Sequence, residues 1–496
     1  MNLIEAFHDR FKKNVRDTAF CSGDDTFSYG AFVALVNGSR VMLESRPEFK
    51  RQQPVGVLCT ERIETYAAIF AIWFSGGIFV PISREVPPVV LNELIDRYGI
   101  EILFSVDEEP AGINQGKIKV IQNSGKVAKE ELPLHNWKKN DRMYILTTSG
   151  STGVPKSVPI SLMNVQSFIE GFIELYPELS ANDNFLQTYE LTADAAFTGY
   201  IIPFMLGAAV FSVPATGFKP FNVVRILSEK PISWVQVTPS LLACLQPFFQ
   251  SLYFDHIKHF HFGGEALPAD LVEEWRRHVP NAEISNVYGP TETTITATIY
   301  KLLPGDMIKA RNGVVSIGKP LKKVETFISK RTDVDYGELL IAGDQVMENY
   351  LFEAKQSFKV LEEKGRAYYP TGDFVDIDQE GFLYYYGRKD EQVKINGYRV
   401  DLVEIENKVR SVLAQSRNIA AAVINKSAGL NQLVVFVEGY EGNGREIIQQ
   451  LNTVLPHYKI PDKIVGVTIF PVSSSGKTDK KILVSNYKKL VKEDGK

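Results

Sequence analysis

Apolar positions along the chain fall into two rhythms. Short runs rich in β-branched and aromatic residues predict strands: VGVLCT (55–60), IEILFSV (100–106), RMYILTT (142–148), AAVFSV (208–213), SWVQVT (233–238), HFHFGG (259–264) and AEISNVYG (282–289). Between them lie longer stretches with helical spacing, such as VVLNELIDRYG (89–99) and PADLVEEWRRHV (268–279). This alternation predicts layered α/β architecture. Glycines or small polar residues follow several of the runs, which places ligand-binding groups at the C-terminal ends of strands, where backbone N–H groups are free.

After about residue 320 the texture changes. KVETFI (323–328), GELLIAG (337–343), DFVDID (373–378) and GFLYYYG (381–387) read as short strands of a β-rich subdomain. GRKDEQVKINGYRVDLVEIENKVRSV (387–412) then runs into a helix, followed by alternating strands NIAAAVINK (418–426) and NQLVVFVEGY (431–440). The expected division is a large N-terminal domain, 1–389, and a small α+β domain, 390–496, hinged at Lys389 and Asp390. The final YKKLVKEDGK (487–496) reads as a frayed charged end.

Composition narrows the function classes. The 496 residues are 44 % hydrophobic with net charge −4, so no basic excess exists to neutralise a nucleic-acid backbone. No stretch of about 18 apolar residues occurs, and charges break the apolar positions of the opening MNLIEAFHDRFKKN (1–14) every few residues, so neither membrane insertion nor a secretory signal is expected, and the compartment is taken as cytoplasmic. Cys21, Cys59 and Cys244 are far apart without metal spacing, which points to reduced thiols rather than a disulfide or zinc framework.

One stretch carries concentrated chemistry: TTSGSTGVPKS, Thr147 to Ser157, directly behind Met143–Leu146. It is not a Walker loop, because Pro155 stands where the second glycine of G-x-x-x-x-G-K-[ST] belongs. What remains is a hydroxyl- and glycine-rich turn after a strand, able to wrap a polyphosphate with Lys156 adding charge, or else an ordinary polar turn. The chain also reads NVYGPTETT (286–294), YYPTGDFVDID (368–378), GRKDEQVKINGYRVDLVEIE (387–406) and PVSSSGKTDKK (471–481), together with FSGGIFVPIS (74–83), FGGEALP (262–268), SIGKP (316–320) and GELLIAGDQVMENYL (337–351). This ordered set resembles the adenylate-forming superfamily over nearly the whole chain, in particular the amino-acid adenylation domains of nonribosomal peptide synthetases and the free-standing D-alanine:carrier-protein ligases.

The resemblance implies a large α/β domain of layered sheets and helices with a β-rich subdomain, and a small mobile α+β domain that rotates over it. It implies ATP and Mg²⁺ as cofactors. Thr147, Thr148, Ser149, Gly150, Ser151, Thr152, Gly153 and Lys156 match the phosphate loop, with Ser157 departing from its usual glycine. Glu292 matches the Mg²⁺-holding glutamate, preceded by Gly289 and Thr291. Tyr288 matches the adenine-stacking residue, with Asn286, Gly263, Gly264 and Glu265 as the adjacent wall. Asp373 matches the ribose-binding aspartate, and Arg388 the arginine near the hinge residue Asp390. Lys477 matches the catalytic lysine of the small domain, and Gly397 the loop that faces a pantetheine arm. Attack of a carboxylate on the α-phosphorus gathers negative charge, so a cation, a metal and donors are the groups such chemistry needs.

By the same resemblance Asp194 pairs with the ammonium group of an amino acid, against the plainer reading of a helix cap. The rest of the acyl pocket is expected from Ala195, Thr198, Gln236, His261, Gly263, Val287 and Ile295, with Gln236 and His261 favouring a hydrogen-bonding side chain if both face inward. Ala193, Thr198 and Gly199 depart from the family pattern and alter the pocket's shape. The expected reaction is formation of aminoacyl-AMP with release of pyrophosphate, then transfer to the phosphopantetheine thiol of a separate carrier protein, since the chain contains no carrier segment. The competing readings are an acyl- or aryl-CoA synthetase acting on an amine-free acid, and a non-catalytic nucleotide-binding relative.

Overall fold

Two largely parallel sheets carry the N-terminal part of the chain. The computed structural model describes residues 2–107, 110, 112, 113, 118–123, 125–128, 131–148, 155–330, 335–352, 358–361, 365–389, 392–395, 397–413, 418–425, 431–471, 478 and 480–493. In the first sheet the strands Thr18–Ser22, Ala209–Ser212, Asn184–Gln187, Trp234–Val237, His259–Gly263 and Glu283–Tyr288 run parallel. Antiparallel strands flank them: Asp25–Ser28 at one edge, and Thr298–Leu302 with Lys319–Pro320 at the other. In the second, Lys119–Gln122, Ile102–Ser105, Pro54–Cys59, Ile78–Ser83 and Arg142–Thr148 are parallel, and Lys156–Ser161 closes the edge antiparallel.

Helices between the sheets are apolar on every side. Ile63–Phe74, IETYAAIFAIWF, buries nearly every residue, as expected of a helix covered by a sheet on each face. It meets Leu3–Lys13 and Ala195–Leu206 through edge-to-face aromatic contacts, Phe70 lying 5.0 Å from Phe7 and 5.2 Å from Phe204. That packing fixes the second sheet against the first and turns their C-terminal strand ends toward one another.

The β-rich part follows as expected. Val324–Lys330, Gly337–Gly343, Arg366–Ile377 and Leu383–Arg388 form an antiparallel sheet. Beyond residue 392 come the hairpin Gln392–Ile395 and Tyr398–Asp401, the helix Leu402–Leu413, and a three-stranded sheet of Ile419–Asn425, Asn431–Glu438 and Lys463–Val467. Strand Asn431–Glu438 alternates cleanly. Leu433, Val435 and Val437 join a cluster with Ile405, Val409 and Leu455, whereas Val434 and Phe436 join one with Phe470, Leu483 and Tyr487. The hinge residue Asp390 lies outside the described residues.

The expected frayed end is corrected. Helix Lys480–Glu493 takes in residues 487–493 of that segment, because Leu483, Val484 and Tyr487 at helical spacing cover one face of the three-stranded sheet. Tyr487 is 7 % exposed and meets Phe436 edge-on at 5.9 Å.

Candidate functional site

The strand ends converge on a cavity of about 280 Å³. Ser83, Thr147, Thr148, Gly263 and Gly289 line it from the ends of parallel strands, or just past them, in both sheets. The C-terminal part covers it with Lys394, Gly397, Tyr398, Leu455, Pro456, Tyr458 and Lys459. Strand ends of this kind leave backbone N–H groups unpaired, so the place suits an anion.

One wall is a tight polar network. The Arg388 guanidinium donates to Asp373 Oδ1 at 2.7 Å and to the Thr371 carbonyl at 3.2 Å, and Tyr288 donates its hydroxyl proton to Asp373 Oδ2 at 2.6 Å. Asp373 and Arg388 side chains are only 7 % and 9 % exposed. Burial first, and then the Asp373 carboxylate, push the Tyr288 phenol well above its ordinary range. Asn286 is a strut rather than a lining residue: its amide donates to the Ser316 carbonyl at 2.9 Å. Gly263 and Gly264 need to be glycine. A Cβ on Gly263 would meet Val287 Cγ2 at 2.7 Å, and Gly264 has φ +89°.

Glu265 links the two parts of the chain. Its Oε2 accepts from the Ser240 N–H at 2.9 Å, while Oε1 accepts the Gly397 N–H at 3.0 Å. Gly397 is left-handed, φ +85°, and packs so closely that a Cβ there would meet Thr238 Cγ2 at 2.9 Å.

The phosphate-loop residues flank the opposite wall. Thr147 shares a hydrogen bond of 2.7 Å with the Tyr98 hydroxyl, and Thr148 Oγ1 is buried without a partner. Ser149, Gly150, Ser151, Thr152 and Gly153 lie outside the described residues. Lys156 opens the closing strand, its Nζ 4.4 Å from the centre of the Tyr350 ring, and Tyr350 in turn donates to Glu292 Oε1 at 2.7 Å. Glu292 is fully buried behind Thr291, which reaches the cavity. Among the described residues no cluster of three metal-binding side chains exists. Lys477 lies outside the described residues.

Asp194 occupies the N-cap of helix Ala195–Leu206, yet its side chain makes no cap hydrogen bond. Oδ2 is buried without a hydrogen-bond partner, and the residue lines the cavity. Burial pushes its carboxyl up to about 6, with the Thr291 hydroxyl and the Lys394 ammonium pulling the other way. Ala195, Gln236, Val287 and Ile295 stand beside it in the lining. Thr198 and His261 do not reach the cavity. His261 is fully enclosed, its ring 4.9 Å from Trp234 and 5.2 Å from Tyr176, with neither nitrogen hydrogen-bonded and its basicity driven far down by burial.

Ile295 stands in a left-handed conformation, φ +69°, as does Thr294 at +58°. The buried Gln345 side chain pins this turn by donating to the carbonyls of Thr293, Thr294 and Thr296 at 3.3, 3.4 and 2.7 Å. Sequence reasoning missed Gln345, Lys394 and Tyr189, whose hydroxyl donates to the Gly263 carbonyl at 3.0 Å. Lys394 lies within the motif KINGYRV, which was its available signal, and Tyr189 lies just past the strand Asn184–Gln187, where position after a strand was the signal.

Residues 7–351 match the family model described as AMP-binding enzyme. Similar proteins include bacitracin synthase 1 of Bacillus licheniformis, 28 % identical over 97 % of this chain, which spans 9 % of that synthase. A D-alanine--D-alanyl carrier protein ligase of Streptococcus agalactiae is 26 % identical over 88 % of this chain and 90 % of its own. Among solved structures, the Vibrio cholerae adenylation domain AlmE in complex with glycyl-adenosine-5'-phosphate superposes with TM-score 0.84 at 22 % identity, covering 98 % of each chain. Holo-PA1221, which contains adenylation and PCP domains, superposes equally well at 21 % identity over 98 % of this chain and 84 % of its own. At those identities the superpositions establish the adenylation-domain fold.

Proposed function

The chain belongs to the AMP-binding enzyme family, and on that premise we propose that it activates an amino acid as aminoacyl-AMP and passes the acyl group to a carrier-protein thiol. The amino acid's carboxylate oxygen bonds to the α-phosphorus of ATP and pyrophosphate leaves. The carrying observation is Asp194, a cavity-lining residue whose buried carboxylate has one unpartnered oxygen. A buried carboxylate is costly unless a cation meets it, and an α-ammonium group is the right partner. An amine-free acid has nothing to offer there. Relatives from the peptide synthetases and the D-alanine--D-alanyl carrier protein ligases support this class.

The remaining roles follow the chemistry of each position. Asp373, held by Arg388 and Tyr288, presents carboxylate oxygens to ribose hydroxyls, Thr147 and Thr148 flank the phosphates from the cavity wall, and Lys156, now over the Tyr350 ring, supplies their charge. A magnesium ion held chiefly by phosphate oxygens needs one protein carboxylate, and buried Glu292 suits that donor set. Bound there, the ion would neutralise phosphate charge. With His261 and Thr198 sealed behind the wall, and Ala195, Gly263 and Val287 around Asp194, the side-chain space favours a small amino acid.

The proposed reading divides the work between two arrangements of the parts before and after Asp390. The one described here sets Gly397 over the cavity and suits the thiol step; Lys477 serves the adenylation step in the other. Amino-acid-dependent ATP–pyrophosphate exchange across the L- and D-amino acids and simple carboxylic acids tests it, with Lys477→Ala as control. Exchange with one small amino acid, lost in the variant, is expected; exchange confined to amine-free acids would overturn the Asp194 assignment in favour of a CoA ligase.

A further inference from the structure

The turn Leu455–Lys459 separates two cavities. Pro456 and Tyr458 face the cavity described above, while His457 faces a second one of about 360 Å³. Ser83, Tyr189 and Thr192 line both, so the two adjoin. His457 belongs to the C-terminal part, but its charged partners belong to the N-terminal part. Its Nδ1 lies 3.6 Å from Glu85 and its Nε2 3.6 Å from Glu190. Glu85 follows strand Ile78–Ser83 and Glu190 follows strand Asn184–Gln187, one from each large sheet. A single imidazole therefore bridges both sheets to the C-terminal part, beside the Glu265–Gly397 contact.

We propose that His457 is a positioning residue for the acyl-transfer step: its imidazolium, seated between Glu85 and Glu190, latches the C-terminal part with Gly397 over the cavity. This rests on the two-step reading above. The charge pattern around the ring supports it. Glu61, Glu85 and Glu190 bring three carboxylates into that cavity against Lys219 and Arg84, the latter already paired with Asp107 at 3.2 Å, so acidic groups outnumber basic ones around the ring. Tyr398 and Tyr458, from its own side, add aromatic faces at 6.1 and 5.6 Å. The Glu190 contact raises the imidazole's affinity for its proton against the opposing effect of burial, with Glu85 adding to the rise and Lys219 opposing it. Glu190 is held below its ordinary range despite burial, by His457, Tyr398 and Lys219. The sign follows: protonation favours the latched arrangement, and the latch weakens as pH rises through the His457 transition.

In the step it serves, the thiol sulfur bonds to the acyl carbon, the acyl–phosphate C–O bond breaks, AMP leaves with the bonding pair, and the thiol proton passes to solvent. The test compares wild type, His457→Gln and Glu190→Gln in the full chain. Pyrophosphate exchange reports the first step, acylation of added 4′-phosphopantetheine reports the second, and spin labels at exposed Asp24 and Glu441 report the arrangement of the two parts. Each variant is expected to keep exchange within about twofold and to lower the transfer-to-exchange ratio about three- to tenfold at pH 6.5, converging on wild type by about pH 9. The interlobe distance of wild type should shift between those pH values, and that of His457→Gln should not. A ratio equal to wild type at every pH, a loss independent of pH, or a distance that shifts identically in the variant would each overturn the latch. Absence of exchange in wild type would sink the two-step reading instead, while the spin-label comparison would still decide the latch.

Discussion

Oε1 of Glu265 accepts the Gly397 N–H at 3.0 Å, joining the turn after strand His259–Gly263 to the hairpin of the C-terminal part. A charged acceptor on a backbone N–H is a strong hydrogen bond. Glu265→Ala removes it and also frees the Ser240 N–H. We expect thioester formation to fall about tenfold, at roughly 1.4 kcal/mol per tenfold, with pyrophosphate exchange changed less. Equal loss in both assays would assign Glu265 to the nucleotide wall alone.

Gly397→Ala addresses the same arrangement from the other side. The added Cβ meets Thr238 Cγ2 at 2.9 Å and the backbone is left-handed at φ +85°, so alanine strains the observed docking twice over. The contact exists only when the two parts are arranged as described here. The variant should therefore retain exchange and lose most transfer; unchanged transfer rates with a thiol acceptor would refute a role for this docking.

How much of this was legible in the sequence differs by element. Strand positions in both large sheets followed from β-branched runs, because buried parallel strands are apolar on both faces. The end of helix Lys480–Glu493 was misread because its apolar residues are scattered among many lysines, and the sheet face that Leu483, Val484 and Tyr487 cover is assembled from distant strands. Asp194, Asp373 and Arg388 all line the cavity, Asp373 and Arg388 in motifs that carry their own turns and Asp194 at a position set by the stretch downstream of it. His261 was expected near the substrate, yet it is enclosed by Trp234 and Tyr176: a strand's period tells which face a residue takes, but not how deep along that face the cavity ends. Gln345 and His457 had no signal, since what each one contacts lies far away in the chain.

The raised carboxyl of Asp194 makes two measurable statements. Pairing with an ammonium group requires the ionised form, so kcat/KM for the amino acid in pyrophosphate exchange should fall about tenfold per pH unit below about 6. Its folded value lies above its unfolded one, so the ionised group opposes folding at neutral pH. Asp194→Asn should then stabilise the free protein by about 1–2 kcal/mol at pH 7.5 while abolishing exchange. Lower thermal stability of the variant would contradict an unpaired carboxylate.

Gln345 sets the shape of the acyl wall without touching the cavity. Its amide donates to three carbonyls of the turn 293–296, and that turn holds Thr294 and Ile295 in left-handed backbone that β-branched residues rarely adopt. Gln345→Leu is close in volume but leaves those buried carbonyls short of donors, so we expect a loss of about 2–3 kcal/mol in thermal or denaturant unfolding. Relaxed, the turn no longer presents Ile295 to the cavity beside Asp194. The KM for the amino acid should rise at least about tenfold while the KM for ATP moves little, because Asp373 and Arg388 belong to a separate network. A parallel rise in both constants would mean that the substitution loosens the fold as a whole, and no change in either would mean that the strained turn is held by its packing rather than by Gln345.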